Sequence, residues 1–229
     1  MDPTAEDDRQ RGRQRDPLEA QREAMIRNQL AQRGIRDRRV LDAMGYVPRH
    51  KFVPELLRQD AYADRPLPIG EEQTISQPYI VAAMLERLAL AATDRILEIG
   101  TGSGYVTALL SLLVAEVYSV ERHVQLAASA KNSLHQLQYR NVHIRVGDGS
   151  QGWVEHAPFD AILVSAATAE MPPPLFAQLR EGGRMIVPIG PSTSQDLQLI
   201  RKISGEPEVN ILEGCRFVPL VPGTVGSSP

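Results

Sequence analysis

The residue types that could do chemistry here are three acids, three closely spaced glycines and one serine. Glu98-Ile-Gly-Thr-Gly-Ser-Gly104 follows the apolar segment beginning at Arg95 and precedes the apolar, alanine-containing run 105–114. That order describes a strand, a tight glycine turn and a helix opening, the usual seat of a nucleotide-like ligand. Gly100, Gly102 and Gly104 repeat at every second position. The dinucleotide fingerprint needs its last glycine one position later, where Tyr105 stands.

The acids sharpen the choice of ligand. Glu98, at the strand end, would repel a pyrophosphate but suits a cationic group, such as the ammonium and sulfonium of S-adenosylmethionine. Glu121 ends a second apolar run, Val117-Tyr-Ser-Val, about twenty residues past the loop. An acid there accepts hydrogen bonds from ribose hydroxyls. Asp148, followed by Gly149, ends a third run and could accept from the exocyclic amine of adenine. Each acid alone also reads as a cap or a turn acid. Together they favour one ligand at the carboxyl ends of adjacent strands.

The elements that must position these residues form a repeating pattern. Apolar runs at 95–99, 116–120, 142–146, 161–164 and 185–188 alternate with helical or loop segments, of which 125–137 is the clearest helix. Such spacing predicts an α/β fold, a mostly parallel sheet with helices on both faces. The Rossmann-like S-adenosylmethionine-dependent methyltransferase fold is the expectation. Runs at 197–203 and 209–218 read as a hairpin, a C-terminal antiparallel element. Upstream, 18–33 looks helical and stops at Gly34, and Asp37 can cap a short helix carrying Val40, Leu41 and Met44. The stretches 46–54 and 66–78 are broken by prolines and read as irregular, with Pro78 opening a helix to about Leu90.

The 229 residues suit one domain over 18–229: a helical and loop region at 18–92, a cofactor-binding core at 93–190 and the hairpin region at 191–229. Residues 1–17 are charged, hold little to bury and read as a disordered tail. A net charge of −3 and an aromatic content of 5% give no argument for a nucleic-acid or anionic-membrane surface. Cys215 is the single cysteine, so no intrachain disulfide can form. No apolar run reaches transmembrane length, and the amino terminus is too charged for a signal peptide. A cytoplasmic monomer without a metal is the expectation, since the five histidines show no ligand spacing.

Ser76 stands before the helix that Pro78 opens. Its place permits two readings, a cap for that helix or a hydroxyl offered to a ligand. The stretch Arg65-Pro-Leu-Pro-Ile-Gly and, after Glu72, Gln-Thr74-Ile-Ser76-Gln-Pro resembles the signature of the protein-L-isoaspartate (D-aspartate) O-methyltransferase family. So do Arg49-His-Lys-Phe-Val-Pro, Glu98-Ile-Gly-Thr-Gly-Ser-Gly-Tyr, Val146-Gly-Asp-Gly, Phe159-Asp and Phe217-Val-Pro-Leu. The similarity runs from about Met25 to Leu220. The resemblance implies methyl transfer from S-adenosylmethionine to the free α-carboxylate of L-isoaspartyl residues, and to the β-carboxylate of D-aspartyl residues, in damaged proteins. It implies Ser76 as the catalytic contact, Thr74, Ser76 and Val218 against substrate, and Glu98, Gly100, Gly102, Gly104, Glu121, Asp148 and Gly149 around the donor. Glu72 departs from the family's glycine and would strain a left-handed turn by roughly 1–2 kcal/mol.

Three rival readings remain at this level: a methyltransferase for RNA or a small molecule, an NAD-dependent oxidoreductase, and a non-catalytic homologue. The glycine spacing and Glu98 count against the oxidoreductase.

Overall fold

A computed structural model describes residues 18–224. The sequence-predicted tail, 1–17, lies outside these residues. Helix α1 (Glu19–Ala24) continues as a π-helical stretch (Met25–Leu30) and a 3-10 turn (Ala31–Arg33). The predicted single α-helix is therefore modified. A wider i→i+5 ladder brings residues five apart nearer to one face, and Met25 and Leu30, both fully buried, are five apart. Gly34 ends the segment with φ of 102°, a backbone state that glycine adopts without steric cost. Helix α2 (Arg38–Tyr46) is capped as expected, with the Asp37 carboxylate accepting from the amides of Arg39 (2.8 Å) and Val40 (3.4 Å).

The stretch 66–78, expected to be irregular, holds a two-stranded antiparallel hairpin. Strand β1 (Leu67–Gly70) pairs with β2 (Gln73–Ile75) through a two-residue turn at Glu71 and Glu72. Its prolines mask it in the sequence, but a strand with one partner tolerates Pro68. The ladder also shifts register between Pro68 and Gly70, which erases any alternation. Helix α3 (Pro78–Leu88) follows.

The main sheet is built from β3 (Arg95–Ile99), β4 (Glu116–Glu121), β5 (Val142–Val146), β6 (Phe159–Val164), β7 (Leu179–Ile189), β8 (Gln195–Ile203) and β9 (Glu206–Cys215). The spatial order is β5-β4-β3-β6-β7-β8-β9, parallel through β7 and antiparallel thereafter. Helices α4 (Tyr105–Leu113), α5 (Val124–Gln136) and α6 (Pro173–Ala177) lie between strands. The second hairpin strand was expected to reach Val218. It stops at Cys215, and residues 217–220 turn back toward β6, where the Ala167 amide donates to the Val218 carbonyl at 2.8 Å.

Two apolar layers clothe the sheet because side chains alternate along each strand. Ile96 packs with Met84, Leu88, Leu109 and Leu110 on one face. Leu97 and Ile99 join Val120, Phe159, Ile162 and Val187 on the other. Strand order reverses between β3 and β6, the topological switch point at which open α/β sheets bind ligands.

Candidate active site

The glycine loop leaves β3 at this switch point. Gly100, Gly102 and Gly104 have φ of 91°, 53° and 87°, and a Cβ on Gly104 would stand 3.2 Å from both Ala130 and Leu134. The loop is therefore turned where it meets the ligand face and packed against α5 where α4 begins.

Glu121, at the end of β4, is nearly buried, and its two oxygens are both used. Oε2 accepts from the Gly102 amide at 2.8 Å and Oε1 from the His123 amide at 3.0 Å. A carboxylate offers about four lone-pair positions, so ribose hydroxyls could still be received there. Gly149 presents bare backbone to the same space, where a Cβ would come within 2.6 Å of Ile99 Cγ2.

A cleft of about 400 Å3 opens between these groups, bounded by Glu71–Gln73, Ile99, Gly100, Glu121–His123, Gly149, Ser165, Ala166 and Val218–Val221. It runs into a smaller hollow of about 60 Å3 lined by Gln73–Ser76, Gly100–Ser103, Tyr105, Val106, Glu121, Ser165 and Val218. Gln73, Gly100, Glu121, Ser165 and Val218 border both, so the two spaces are one site with a large and a small end. A separate hollow of about 510 Å3 lies behind Pro219 and Leu220, against residues 167–174.

The structure brings Thr74, Ser76, Gly100, Gly102, Glu121, Gly149 and Val218 together at this cleft. It sets the other sequence-predicted residues behind its walls. Glu98 shares the face of Ile96 and points beneath α4, fully buried. Its Oε2 accepts from Thr107 Oγ1 and Ser119 Oγ, both at 2.6 Å, while Oε1 is buried without a partner among the described residues. Burial pushes its carboxyl up to about 7, against the pull of those hydroxyls. Contrary to the expected cleft-wall charge, Glu98 ties β3 to α4 and β4 beneath the glycine loop.

Asp148 caps the turn 149–151, its Oδ1 accepting from the Ser150 amide (2.9 Å) and hydroxyl (2.7 Å). Burial alone would raise its pKa. The hydrogen bonds from Ser150 and the Gly223 backbone, with the charge of Arg122, outweigh it and hold the acid below its ordinary range. Ser76 does not cap α3: Gln77 holds the N-cap position, and no side chain caps that end. The Ser76 hydroxyl makes no hydrogen bond among the described residues, while its carbonyl accepts from Arg49 Nη2 at 2.9 Å.

Sequence reasoning missed Gln73, Ser165 and the Glu71–Glu72 turn as wall residues. Ser165 had a usable signal, being the first residue past the β6 run. Its amide donates to the Ile99 carbonyl at 2.8 Å, closing the β3–β6 gap. Trp153 packs edge-on to Tyr118 at 5.6 Å, away from the cleft. Among the described residues no cluster of His, Cys, Asp and Glu could hold a metal, and no helix is long and apolar enough to cross a membrane.

A mostly parallel sheet reversing at β3, with helices between its strands and a glycine loop at the switch, is the Rossmann-like S-adenosylmethionine-dependent methyltransferase fold. Residues 20–225 match the family model described as protein-L-isoaspartate(D-aspartate) O-methyltransferase. The chain belongs to that family. It is 53% identical over 208 residues to the protein-L-isoaspartate O-methyltransferase of Koribacter versatilis, covering 91% of this chain and 93% of that one. The Methanoculleus marisnigri enzyme of the same name is 52% identical over 206 residues, covering 90% and 94%. A Plasmodium falciparum structure described as a protein-L-isoaspartate O-methyltransferase in complex with S-adenosyl-L-homocysteine superposes with a TM-score of 0.77 at 30% identity. It covers 87% of this chain and 98% of that one.

Proposed function

We propose that the protein transfers the methyl group of S-adenosylmethionine to the free α-carboxylate of L-isoaspartyl residues, and to the β-carboxylate of D-aspartyl residues, in damaged proteins, with Ser76 holding the acceptor. Family membership over nearly the whole chain supports the reaction. The observation that carries the assignment of ends is the continuity of the two hollows. Glu121 and Gly149 border the large end, while Thr74 and Ser76 border the small one.

The donor supplies a methyl group on a sulfonium, which leaves without acid assistance. Glu121 would hold its ribose, and the bare backbone at Gly100, Gly102 and Gly149 would let it lie against the sheet. Glu98 and Asp148 brace the loops that shape this end. The acceptor is ionised at neutral pH and needs no general base. What the chain must do is hold carboxylate and methyl in line, and positioning of this kind supplies on the order of 7–11 kcal/mol. The Ser76 hydroxyl is available to donate to the carboxylate, with Thr74 and Val218 flanking it. Without the enzyme, the backbone amide nitrogen then displaces methanol from the ester, and water reopens the resulting succinimide in part to normal aspartate.

A cytoplasmic monomer fits the balanced composition and single cysteine. The deciding experiment compares methyl incorporation into an isoaspartyl peptide and its aspartyl twin. Transfer to the first alone is expected; equal labelling, or none, would refute the assignment.

A further inference from the structure

Arg49 is the largest side chain that the fold buries completely. Its Nε donates to the Ala61 carbonyl at 2.7 Å and its Nη2 to the Ser76 carbonyl at 2.9 Å. Its Nη1 is buried with no hydrogen-bond partner among the described residues. The guanidinium lies over the ring of Tyr105, Cζ standing 4.9 Å from the centroid, and the Tyr105 hydroxyl is likewise buried and unpartnered. Tyr105 and Ser76 both line the small end of the cleft. Among the described residues Arg49 forms no salt bridge; the nearby Asp64 pairs with Arg33 instead.

A guanidinium stays charged inside a protein. Burying such a charge is costly unless it is paired. A cation kept here without a salt bridge of its own, directly behind Ser76, matches the one anion the reaction brings to that place. We propose that Arg49 is a positioning residue for the substrate carboxylate. Its Nη2 fixes the Ser76 backbone, and its charge makes the small end of the cleft prefer an ionised carboxylate to a neutral group. This rests on the reading of Ser76 as the substrate contact.

A purely structural Arg49, tying Ala61 to Ser76, would leave the charge preference in substrate binding unchanged when its charge alone is removed. The test therefore measures that preference directly. Two peptides are titrated into the full chain loaded with S-adenosylhomocysteine, identical except that one carries the isoaspartyl α-carboxylate and the other its carboxamide. Wild type is expected to bind the carboxylate on the order of tenfold more tightly, the scale for a charge several ångströms behind a protein wall. Arg49→Met should bring the two peptides within about twofold of each other while S-adenosylhomocysteine affinity holds, with a lower melting temperature because the Ala61 and Ser76 carbonyls lose their donor. Arg49→Lys should keep most of the preference. Arg49→Gln, which retains a donor for a carbonyl but no charge, replaces Arg49→Met should the latter fail to fold. Equal binding of both peptides by wild type, or an undiminished preference in a charge-free variant, overturns the proposal. Ser76→Ala in parallel separates the two readings. If it binds and turns over substrate as wild type does, the Ser76 assignment falls. If it is impaired while Arg49→Met keeps its preference, Arg49 alone falls.

Discussion

The carboxylate of Glu121 accepts the amide of Gly102 at 2.8 Å, so the acid ending one strand braces the glycine loop leaving its neighbour. Loop and acid are therefore one unit. On the proposed placement of the donor, a substitution at Glu121 would disturb its seat twice, through the ribose and through the loop. Glu121→Gln offers one acceptor oxygen to two amides, those of Gly102 and His123. Hydrogen bonds to charged groups contribute about 1.5–3 kcal/mol each. Glu121→Gln should weaken S-adenosylhomocysteine binding by roughly tenfold or more. Titration calorimetry measures this directly, and unchanged affinity would mean that neither a ribose contact nor the loop brace at Glu121 bears on the donor.

Ser76 sits outside the capping position of α3, which belongs to Gln77. Ser76→Ala should leave the melting temperature within a degree or two of wild type. It should lower turnover of an isoaspartyl peptide by about ten- to a hundredfold, the loss of one charge-assisted hydrogen bond. Steady-state methyl transfer beside a thermal melt separates these effects; a large fall in stability would reassign the serine to the fold.

Glu98 titrates in the folded protein at about 7, against an ordinary 4.5, because burial disfavours its charge. Between those values the unfolded chain has released this proton and the folded chain still holds it. Stability from this group is thus greatest at acid pH, declines as pH rises from 4.5 to about 7, and is level above that. The decline is about 3 kcal/mol at most. Glu98→Gln has no proton to lose. Its stability relative to wild type should be more favourable at pH 8 than at pH 5, by about 1–3 kcal/mol. Urea unfolding of both proteins at the two pH values gives the difference, and a pH-independent gap would contradict it.

Glu71 and Glu72 both hold positive φ, 51° and 56°, as a type I′ hairpin turn requires and as side chains with a Cβ resist. The Glu71 carboxylate stands 3.5 Å from His123 Nδ1, which gives that position a contact to keep. The Glu72 side chain makes no hydrogen bond or ion pair among the described residues. Glu72→Gly should therefore stabilise the chain by about 0.5–1 kcal/mol, the relief of strain offset in part by unfolded-state entropy. A rise of about 1–4 °C in melting temperature is the corresponding signal, and a fall would show that the glutamate is held by something other than the turn.

The central strands were legible because parallel strands buried on both faces read as unbroken apolar runs. The glycine loop was legible because its special dihedrals admit few other residues. The hairpin of β1 and β2 was not, since prolines and a register shift hide short strands. Glu98 was found but aimed wrongly. Its period-two relation to Ile96 already placed it on the face that α4 covers, and that alternation is the stronger signal. Arg49 owes its place to neighbours distant in sequence, behind Ser76, and no local pattern encodes such adjacency.

Val218 and Leu220 complete the cleft by pairing with Ala167, whose amide reaches the Val218 carbonyl and whose carbonyl receives the Leu220 amide at 2.7 Å. That wall arrives after every strand of the sheet has been synthesised. A nascent or clipped polypeptide ending at Cys215 would own all seven strands yet have an open-sided berth for its nucleoside. Enclosure of the cleft is therefore left to a segment that contributes nothing to the main sheet.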